Sequence, residues 1–277
     1  MSSCVRDRPL FRRIGVGLLV VVGLGGFVWR QAVRFRPVRR EPPAAVTLSL
    51  YCGAALRPLV EALAEDYHRR TGVTVAMTYG GANLLMGQLE LVPGEADLFL
   101  PGDSTYVEEA AARGWIEEQV PLARLTPALL VQPGNPCGIE GLRDLVRPGV
   151  RVAMPDPRGP ALSRLVPDLL AAEGMTESDI VSNVVFTAAS LPELAHAVRL
   201  GHADAALVWE FYARHQAPCE AIPIPLPENR SVVLSIGLLR TSKQKAEARR
   251  FMEYVRSESA RPLWRKGYVS TFEEEQR

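Results

Sequence analysis

The sequence predicts an α/β fold with two lobes, each built on a largely parallel sheet covered by helices. Short apolar segments that suit strands alternate with longer segments that carry an apolar stripe at helical spacing. Three junctions from a strand to a helix carry runs of small residues, at positions 51–58, 79–83 and 188–190. Strands that alternate with helices in this order indicate parallel pairing with crossover helices.

In the first part of the chain, the helix after the first strand is expected to end at Gly72. Asn83 is a candidate N-cap for the next helix. Thr105 and Glu108 have the spacing of a capping box, which predicts another helix there. The strands of this part are predicted at residues 46–51, 73–79 and 96–100.

The rest of the chain predicts a second series of strands and helices. Pro167 interrupts an apolar helical stripe and is expected to bend or shorten that helix. Two crossings divide the chain into lobe one, residues 46–124 plus 226–277, and lobe two, residues 125–225. Ligands of such sheets bind beyond the carboxyl ends of the strands, so we expect the site in a cleft between the lobes. The strands are predicted within 122–132 and at 150–154, 183–187, 203–209 and 231–239, and the helices at 191–200 and 246–258.

The N-terminus predicts a targeting segment. Residues 14–29 (IGVGLLVVVGLGGFVW) are uncharged and apolar, and arginines precede them. This run of about 16 residues is slightly shorter than the roughly 17–25 of a membrane span and longer than the roughly 7–15 of a signal-peptide core. We expect an uncleaved signal anchor, with a cleaved signal peptide as the alternative, and a basic, proline-rich tether over 36–45. Arginines flank both ends of the run, so positive charge does not settle its orientation. The rest of the chain is expected on the extracytoplasmic, periplasmic side of the inner membrane.

Composition argues against several classes of function. The net charge of +1 does not suit nucleic acid as a main partner. Neither a GxSxG nor an HExxH motif is present, and the four histidines are scattered, so we predict no metal site and no cofactor. The chain is predicted not to be an enzyme.

The cysteines leave two questions open. Cys52 lies near a helix N-terminus, so a thiol enzyme is the alternative from another class. Cys137 and Cys219 either pair on the extracytoplasmic side or are small buried side chains, and the second interpretation is preferred.

The order of motifs resembles the extracytoplasmic molybdate-binding proteins of ABC importers. This resemblance covers about residues 46–268, nearly all of the chain after the tether. It implies a type II periplasmic binding protein fold, with two lobes joined by two crossover segments, and an ABC permease as the membrane partner. The matching motifs are Tyr51-Cys52-Gly53-Ala54-Ala55-Leu56, Thr71-Gly72-Val73, Tyr79-Gly80-Gly81-Ala82, Ala96-Asp97-Leu98-Phe99-Leu100, Arg113-Gly114-Trp115-Ile116, Leu200-Gly201-His202-Ala203-Asp204-Ala205 and Trp264-Arg265-Lys266-Gly267-Tyr268.

By the resemblance, five positions surround a small oxyanion such as molybdate or tungstate. Ala55 and Ala82 stand where the family usually presents serine hydroxyls, and Trp209 stands where a tyrosine is usual. Ala161 and Leu191 are expected to offer backbone N–H groups. The neighbouring residues Ala54, Gly81, Asn83, Gly159 and Ser190 complete the predicted site.

Three hydroxyl donors are therefore missing from the implied site. Each lost hydrogen bond to a charged oxygen typically weakens binding by roughly 1.5–3 kcal/mol if nothing replaces it. Asn83 and Ser190 are neighbouring polar side chains that can substitute, and Trp209 keeps one N–H donor. The alternative is a binding protein or sensor of the same fold for a different small ligand.

Overall fold

The computed structural model describes residues 46–158, 161–224 and 231–271, with the backbone alone described at residue 161. The expected anchor at 14–29 and the tether at 36–45 lie outside these residues. Within them, no helix has both the length and the apolar character that a membrane crossing requires.

The described chain alternates strands and helices. The strands are β1 (Thr47–Gly53), β2 (Thr74–Gly80), β3 (Leu98–Leu100), β4 (Ile116–Leu125), β5 (Pro127–Val131), β6 (Val152–Pro155), β7 (Val184–Ala188), β8 (Ala205–Trp209), β9 (Glu220–Pro223) and β10 (Val232–Leu239). The α-helices are α1 (Arg57–Thr71), α2 (Ala82–Leu91), α3 (Ser104–Ala112), α4 (Val166–Ala172), α5 (Glu177–Ile180), α6 (Leu191–Arg199), α7 (Glu210–Arg214), α8 (Lys245–Arg256) and α9 (Arg261–Lys266). Short 3-10 helices span Ala54–Leu56, Leu142–Val146, Ala161–Leu165 and Val181–Asn183.

The strands form two five-stranded sheets, of order β2-β1-β3-β10-β4 and β7-β6-β8-β5-β9. We call each sheet with its helices the first lobe and the second lobe. The first three strands of the first lobe are parallel, and β10 runs antiparallel to β3 and β4. In the second lobe β6, β7 and β8 are parallel, and β5 is antiparallel to both of its neighbours. The predicted α/β class is confirmed.

The chain passes from one sheet to the other at two places. It leaves the first sheet between β4 and β5, across Thr126, and returns between β9 and β10. One apolar cluster includes buried residues of both lobes, such as Leu50 and Leu63 of the first and Leu129 and Leu194 of the second. This shared cluster packs the two lobes against each other.

Two predicted helix starts are wrong. Gly81, in extended conformation, is the N-cap of α2, so Asn83 lies inside the helix. Asp103 is the N-cap of α3, and its carboxylate accepts a hydrogen bond of 2.7 Å from the backbone N–H of Thr105. A carboxylate at an N-cap satisfies one of the free N–H groups at the helix start, which explains why Asp103 takes this position.

Two further points refine the predictions. Pro167 does not bend a helix, because it lies in the first turn of α4, where a proline costs no hydrogen bond. The apolar stripe is instead divided beside it into the 3-10 helix Ala161–Leu165 and α4, so the expected shortening of the helix is confirmed. Strand β4 was not predicted at all. Its residues Glu117, Glu118 and Gln119 are exposed, and the strand lies at the edge of the sheet, where it pairs with β10 and forms one further bridge from Ala123 to Thr271.

Candidate functional site

Strand pairing brings the small-residue junctions together. In the first lobe, Gly53 at the end of β1 pairs with Gly80 at the end of β2. In the second lobe, Ala188 at the end of β7 pairs with Pro155 at the end of β6. Helix α6, which follows β7, packs against the 3-10 helix Ala54–Leu56 of the first lobe. The junctions of the two lobes therefore face each other.

A small cavity of about 30 Å³ lies between these junctions. Such a volume accommodates about two water molecules. Seven of the predicted site residues line it: Ala54, Ala55, Gly81, Ala82, Ser190, Leu191 and Trp209. The structure thus brings residues of both lobes to one cavity, while their role in binding stays a prediction.

The lining also includes Gly53, Leu56, Gly80 and Gly102, which were not predicted as site residues. Gly53 and Gly80 belong to the small-residue junctions, so the sequence signal for them was present. Gly102 has no comparable signal, because the pairing of β1 with β3 brings it to the cavity. A Cβ atom on Gly53 would lie 3.1 Å from the backbone N of Gly102, so the two backbones approach closely here and a larger residue would require one of them to shift.

Three helix N-termini lie at the cavity. The 3-10 helix that leads into α1, helix α2 and helix α6 all begin at the cavity, and none has a hydrogen bond from a side chain at its N-cap. The first N–H groups of a helix have no partner within the helix, and the helix dipole makes this end partially positive. These groups suit a small anion.

Side chains add little polarity to the lining. Among the described residues that line the cavity none is charged, and Trp209 supplies the one side-chain N–H donor. The Ser190 hydroxyl donates to the Glu193 carboxylate at 2.7 Å. Ser190 is therefore not free to donate to an anion in this arrangement.

Residues 48–268 match the model of a family described as bacterial extracellular solute-binding protein. The chain belongs to this family. Its resemblance to the molybdate-binding members is confirmed, since a curated molybdate-binding protein is similar to it over 79% of this chain.

A putative binding protein of Haemophilus influenzae is 26% identical over 216 residues, which are 77% of this chain and 86% of the relative. The molybdate-binding protein ModA of Mycobacterium bovis is 26% identical over 225 residues, 79% of this chain and 82% of the relative. These identities make the present solute-binding protein a divergent relative of the molybdate-binding proteins.

Solved structures show the same fold. The periplasmic molybdate-binding protein of Azotobacter vinelandii aligns with a TM-score of 0.70 and 18% identity, covering 80% of this chain and 98% of that one. The sulfate-binding protein SubI of Mycobacterium tuberculosis aligns with a TM-score of 0.69 and 19% identity, covering 82% of this chain and 87% of that one. The relatives that carry a functional name are binding proteins, which supports a binding role at the level of the family.

Asn83 does not line the small cavity but joins the two lobes of the solute-binding protein. Its side-chain amide donates to the backbone carbonyl of Arg158 in the second lobe. Both residues line a larger compartment of about 340 Å³ beside the cavity. Of the other second-lobe predictions, Gly159 lies outside the described residues, and Ala161 begins the 3-10 helix Ala161–Leu165.

The acidic residues near the cleft have partners of their own. The Arg158 side chain and backbone N–H donate hydrogen bonds to Asp156 and lower the pKa of its carboxyl group. Glu210 accepts hydrogen bonds from Arg214 at 2.6 Å and from the Thr126 hydroxyl at 3.0 Å. Both carboxylates are therefore held away from the lining of the small cavity by paired contacts.

The structure argues against Cys52 as a nucleophile. Its side chain is completely buried, and this burial raises the pKa of the thiol. A thiolate is the reactive form, so a raised pKa opposes thiol chemistry at this position. Cys52, Cys137 and Cys219 are free cysteines. In the part of the chain that the structure describes, no group of three or more His, Cys, Asp or Glu side chains is arranged to hold a metal ion.

Proposed function

We propose that this solute-binding protein captures a small oxyanion between its lobes and delivers it to the permease of an ABC importer. Molybdate or tungstate is the preferred ligand. The observation that carries the proposal is the convergence of three helix N-termini, from both lobes, on a cavity with no charged residue in its described lining. Backbone N–H groups hold a fully ionised oxyanion without a cationic side chain.

The relatives support an oxyanion and leave its identity to experiment. One relative is named as a molybdate-binding protein, and one structural relative is named as a sulfate-binding protein. In this chain Ala55 and Ala82 contribute methyl groups to the cavity wall. With fewer hydroxyl donors, selection among tetrahedral anions rests on backbone N–H groups, Trp209 and the size of the closed cavity.

The proposed mechanism is hinge closure. The ligand contacts the junctions of the first lobe and the N-terminus of α6 together, so it stabilises the closed arrangement more than an open one. Lobe one is proposed as residues 46–124 plus 226–277 and lobe two as 125–225. The proposed location is the extracytoplasmic side of the membrane, with the N-terminal segment as anchor or signal peptide.

Calorimetric titration of the full chain with molybdate, tungstate, sulfate and phosphate tests the proposal. We expect saturable binding of at least one of them well below about 1 mM, the concentration range that corresponds to weak binding. Ala82→Asp places a carboxylate in the cavity wall and should abolish this binding. Ala246→Asp is the matched control, because it adds the same charge to an exposed position in the first turn of α8.

Binding of none of the four anions by the unmodified chain would reject the oxyanion assignment. Equal loss of binding in both aspartate variants would show that added negative charge, not the cavity, governs affinity. Family membership would stand in either case.

A further inference from the structure

Arg164 lies in the second lobe, and its side chain contacts the first lobe. Its guanidinium Cζ is 3.9 Å from the centre of the Tyr106 ring. One guanidinium nitrogen donates a hydrogen bond of 3.1 Å to the Thr105 hydroxyl, and the other lies 3.7 Å from a carboxylate oxygen of Glu109. These three partners lie on the first two turns of α3. We call Arg164 with Thr105, Tyr106 and Glu109 the clasp.

The clasp is outside the cavity but adjacent to it. Arg164 belongs to the 3-10 helix Ala161–Leu165, and α3 follows Gly102, which lines the cavity. None of the four clasp residues is part of the lining. Any separation of the two lobes at this edge breaks all three contacts at once.

The chemistry of the clasp favours an arginine over a simple positive charge. Glu109 is already paired with Arg113 at 2.7 Å, and the side chains of Arg164 and Glu109 are 43% and 39% exposed, so this ion pair contributes little. The planar guanidinium stacks on the Tyr106 ring while it donates to Thr105, which a lysine ammonium does not reproduce. Tyr106 is buried in the first lobe and therefore gives the guanidinium a fixed surface.

We infer that Arg164 is a positioning residue that holds the lobes closed and so raises ligand affinity without touching the ligand. The apparent affinity of a closing protein scales with the fraction of molecules that occupy the binding-competent state. Contacts that form in the closed arrangement alone increase this fraction in the absence of ligand. The affinity part of this inference rests on the proposed function, and the closure part does not.

Two measurements on the full chain test the clasp. Hydrogen exchange without ligand reports closure, at the amides of the cavity-facing segments Ala54–Leu56 and Ala82–Leu91. Titration with molybdate reports affinity. For Arg164→Ala we expect faster exchange in these segments and affinity lower by roughly tenfold, equivalent to about 1.4 kcal/mol. In exchange and affinity, Arg164→Lys should be closer to Arg164→Ala than to the unmodified chain. Lysine keeps the positive charge but has no planar guanidinium to stack on the Tyr106 ring.

Arg143→Ala is the matched control. Arg143 pairs with Glu173 at 2.9 Å inside the second lobe, so its loss removes an exposed ion pair without affecting contact between the lobes. We expect this variant to keep both exchange and affinity unchanged.

The outcomes are distinguishable. Unchanged exchange at the cavity in Arg164→Ala would overturn the inference, and so would faster exchange spread evenly over both lobes, which indicates a general loss of stability. Suppose that molybdate does not bind the unmodified chain but Arg164→Ala still speeds exchange in the cavity-facing segments. The proposed ligand is then rejected, and the role of the clasp in closure is supported. Affinity retained in Arg164→Lys would contradict the role of guanidinium stacking.

Discussion

Ala55 and Ala82 line the cavity with side chains that carry no polar atom, beside glycines, Leu56, Leu191, Ser190 and Trp209. A methyl group neither donates to an oxyanion nor repels it, so each position forgoes a hydrogen bond. The polar neighbours do not replace these donors in this structure. Ser190 donates to Glu193, and Asn83 donates to Arg158.

Restoring one hydroxyl should therefore strengthen binding. Ala82→Ser adds a donor at the N-terminus of α2, and hydrogen bonds to charged groups typically contribute about 1.5–3 kcal/mol. We expect the dissociation constant for the preferred oxyanion to fall by roughly tenfold to a hundredfold in calorimetric titration. Ala246→Ser, on the exposed face of α8, is the control. Weaker or unchanged binding in Ala82→Ser would show that the bound anion does not reach this wall.

Asp204 is a second residue whose chemistry is set by its contacts. It is buried, and it accepts hydrogen bonds from the Arg151 backbone N–H at 2.8 Å and from the Arg151 guanidinium at 2.7 Å. Burial alone would raise its pKa. The hydrogen bonds and charge of Arg151 outweigh burial and lower the pKa of the Asp204 carboxyl group below its usual value.

A lowered pKa in the folded state means that Asp204 stabilises the fold above its unfolded pKa of about 3.9. This contribution is lost as the pH falls through the folded pKa. We expect Asp204→Asn to lower the free energy of unfolding at pH 7 by about 1.5–3 kcal/mol, the typical contribution of a charge-assisted hydrogen bond. The difference in the free energy of unfolding between Asp204→Asn and the unmodified chain, measured with urea, should become smaller below about pH 4. Glu90→Gln, which removes an exposed ion pair with Arg113, should have little effect at any pH.

At the scale of elements, glycine acts differently in α1 and α2. Gly72 ends α1 with a φ of 76°, in the left-handed region, and no atom lies within 4 Å of a Cβ built on it. Gly87 lies inside α2, where a Cβ would also meet open space. The two positions therefore differ in backbone conformation and not in available space.

The same substitution should have opposite effects at these two positions. A left-handed conformation costs an L-residue about 1–2 kcal/mol, so Gly72→Ala should lower the free energy of unfolding by about this amount. Gly87→Ala should raise it by about 0.5–1 kcal/mol, because alanine loses less conformational freedom in a helix. Chemical denaturation of the two variants measures both. If both substitutions changed the free energy of unfolding in the same direction, the explanation from backbone conformation would be contradicted.

At the scale of the whole molecule, the shared apolar cluster joins the lobes. Leu50 and Leu194 are fully buried within it, one in each lobe. Because a single cluster includes residues from both sheets, partial unfolding of one lobe would expose apolar surface of the other. The proposed hinge closure would therefore take place in a molecule whose lobes remain coupled through this cluster.

We expect a single thermal transition for the part of the chain that forms this cluster. Scanning calorimetry should give one heat-capacity peak, with agreement between the calorimetric and van't Hoff enthalpies. Leu194→Ala should destabilise the molecule by about 2–5 kcal/mol and move the peak without splitting it. Two resolved peaks in either protein would show that the lobes unfold separately.

Much of the fold was predictable because its signals are local. Apolar spacing located most strands and helices, and Gly72 ends α1 as predicted. Strand β4 was not predicted because its exposed residues and Pro121 do not alternate with buried residues as in a half-buried strand. It lies at the edge of the sheet beside β10. The N-cap of α2 was predicted wrongly because asparagine is favoured at this position. In the structure Gly81 is the N-cap, and the Asn83 side chain donates to a residue of the other lobe instead.

The sequence by itself determined the α/β class, the small-residue junctions and the family resemblance. Periodicity, turn residues and motif order are properties of neighbouring residues, so they can be read without coordinates. Tertiary structure alone decided that Gly102 reaches the cavity, that Asn83 bonds to Arg158, and that Arg164 contacts α3. Such partners are distant in sequence, and they meet because strand pairing and the packing of two lobes bring their backbones together.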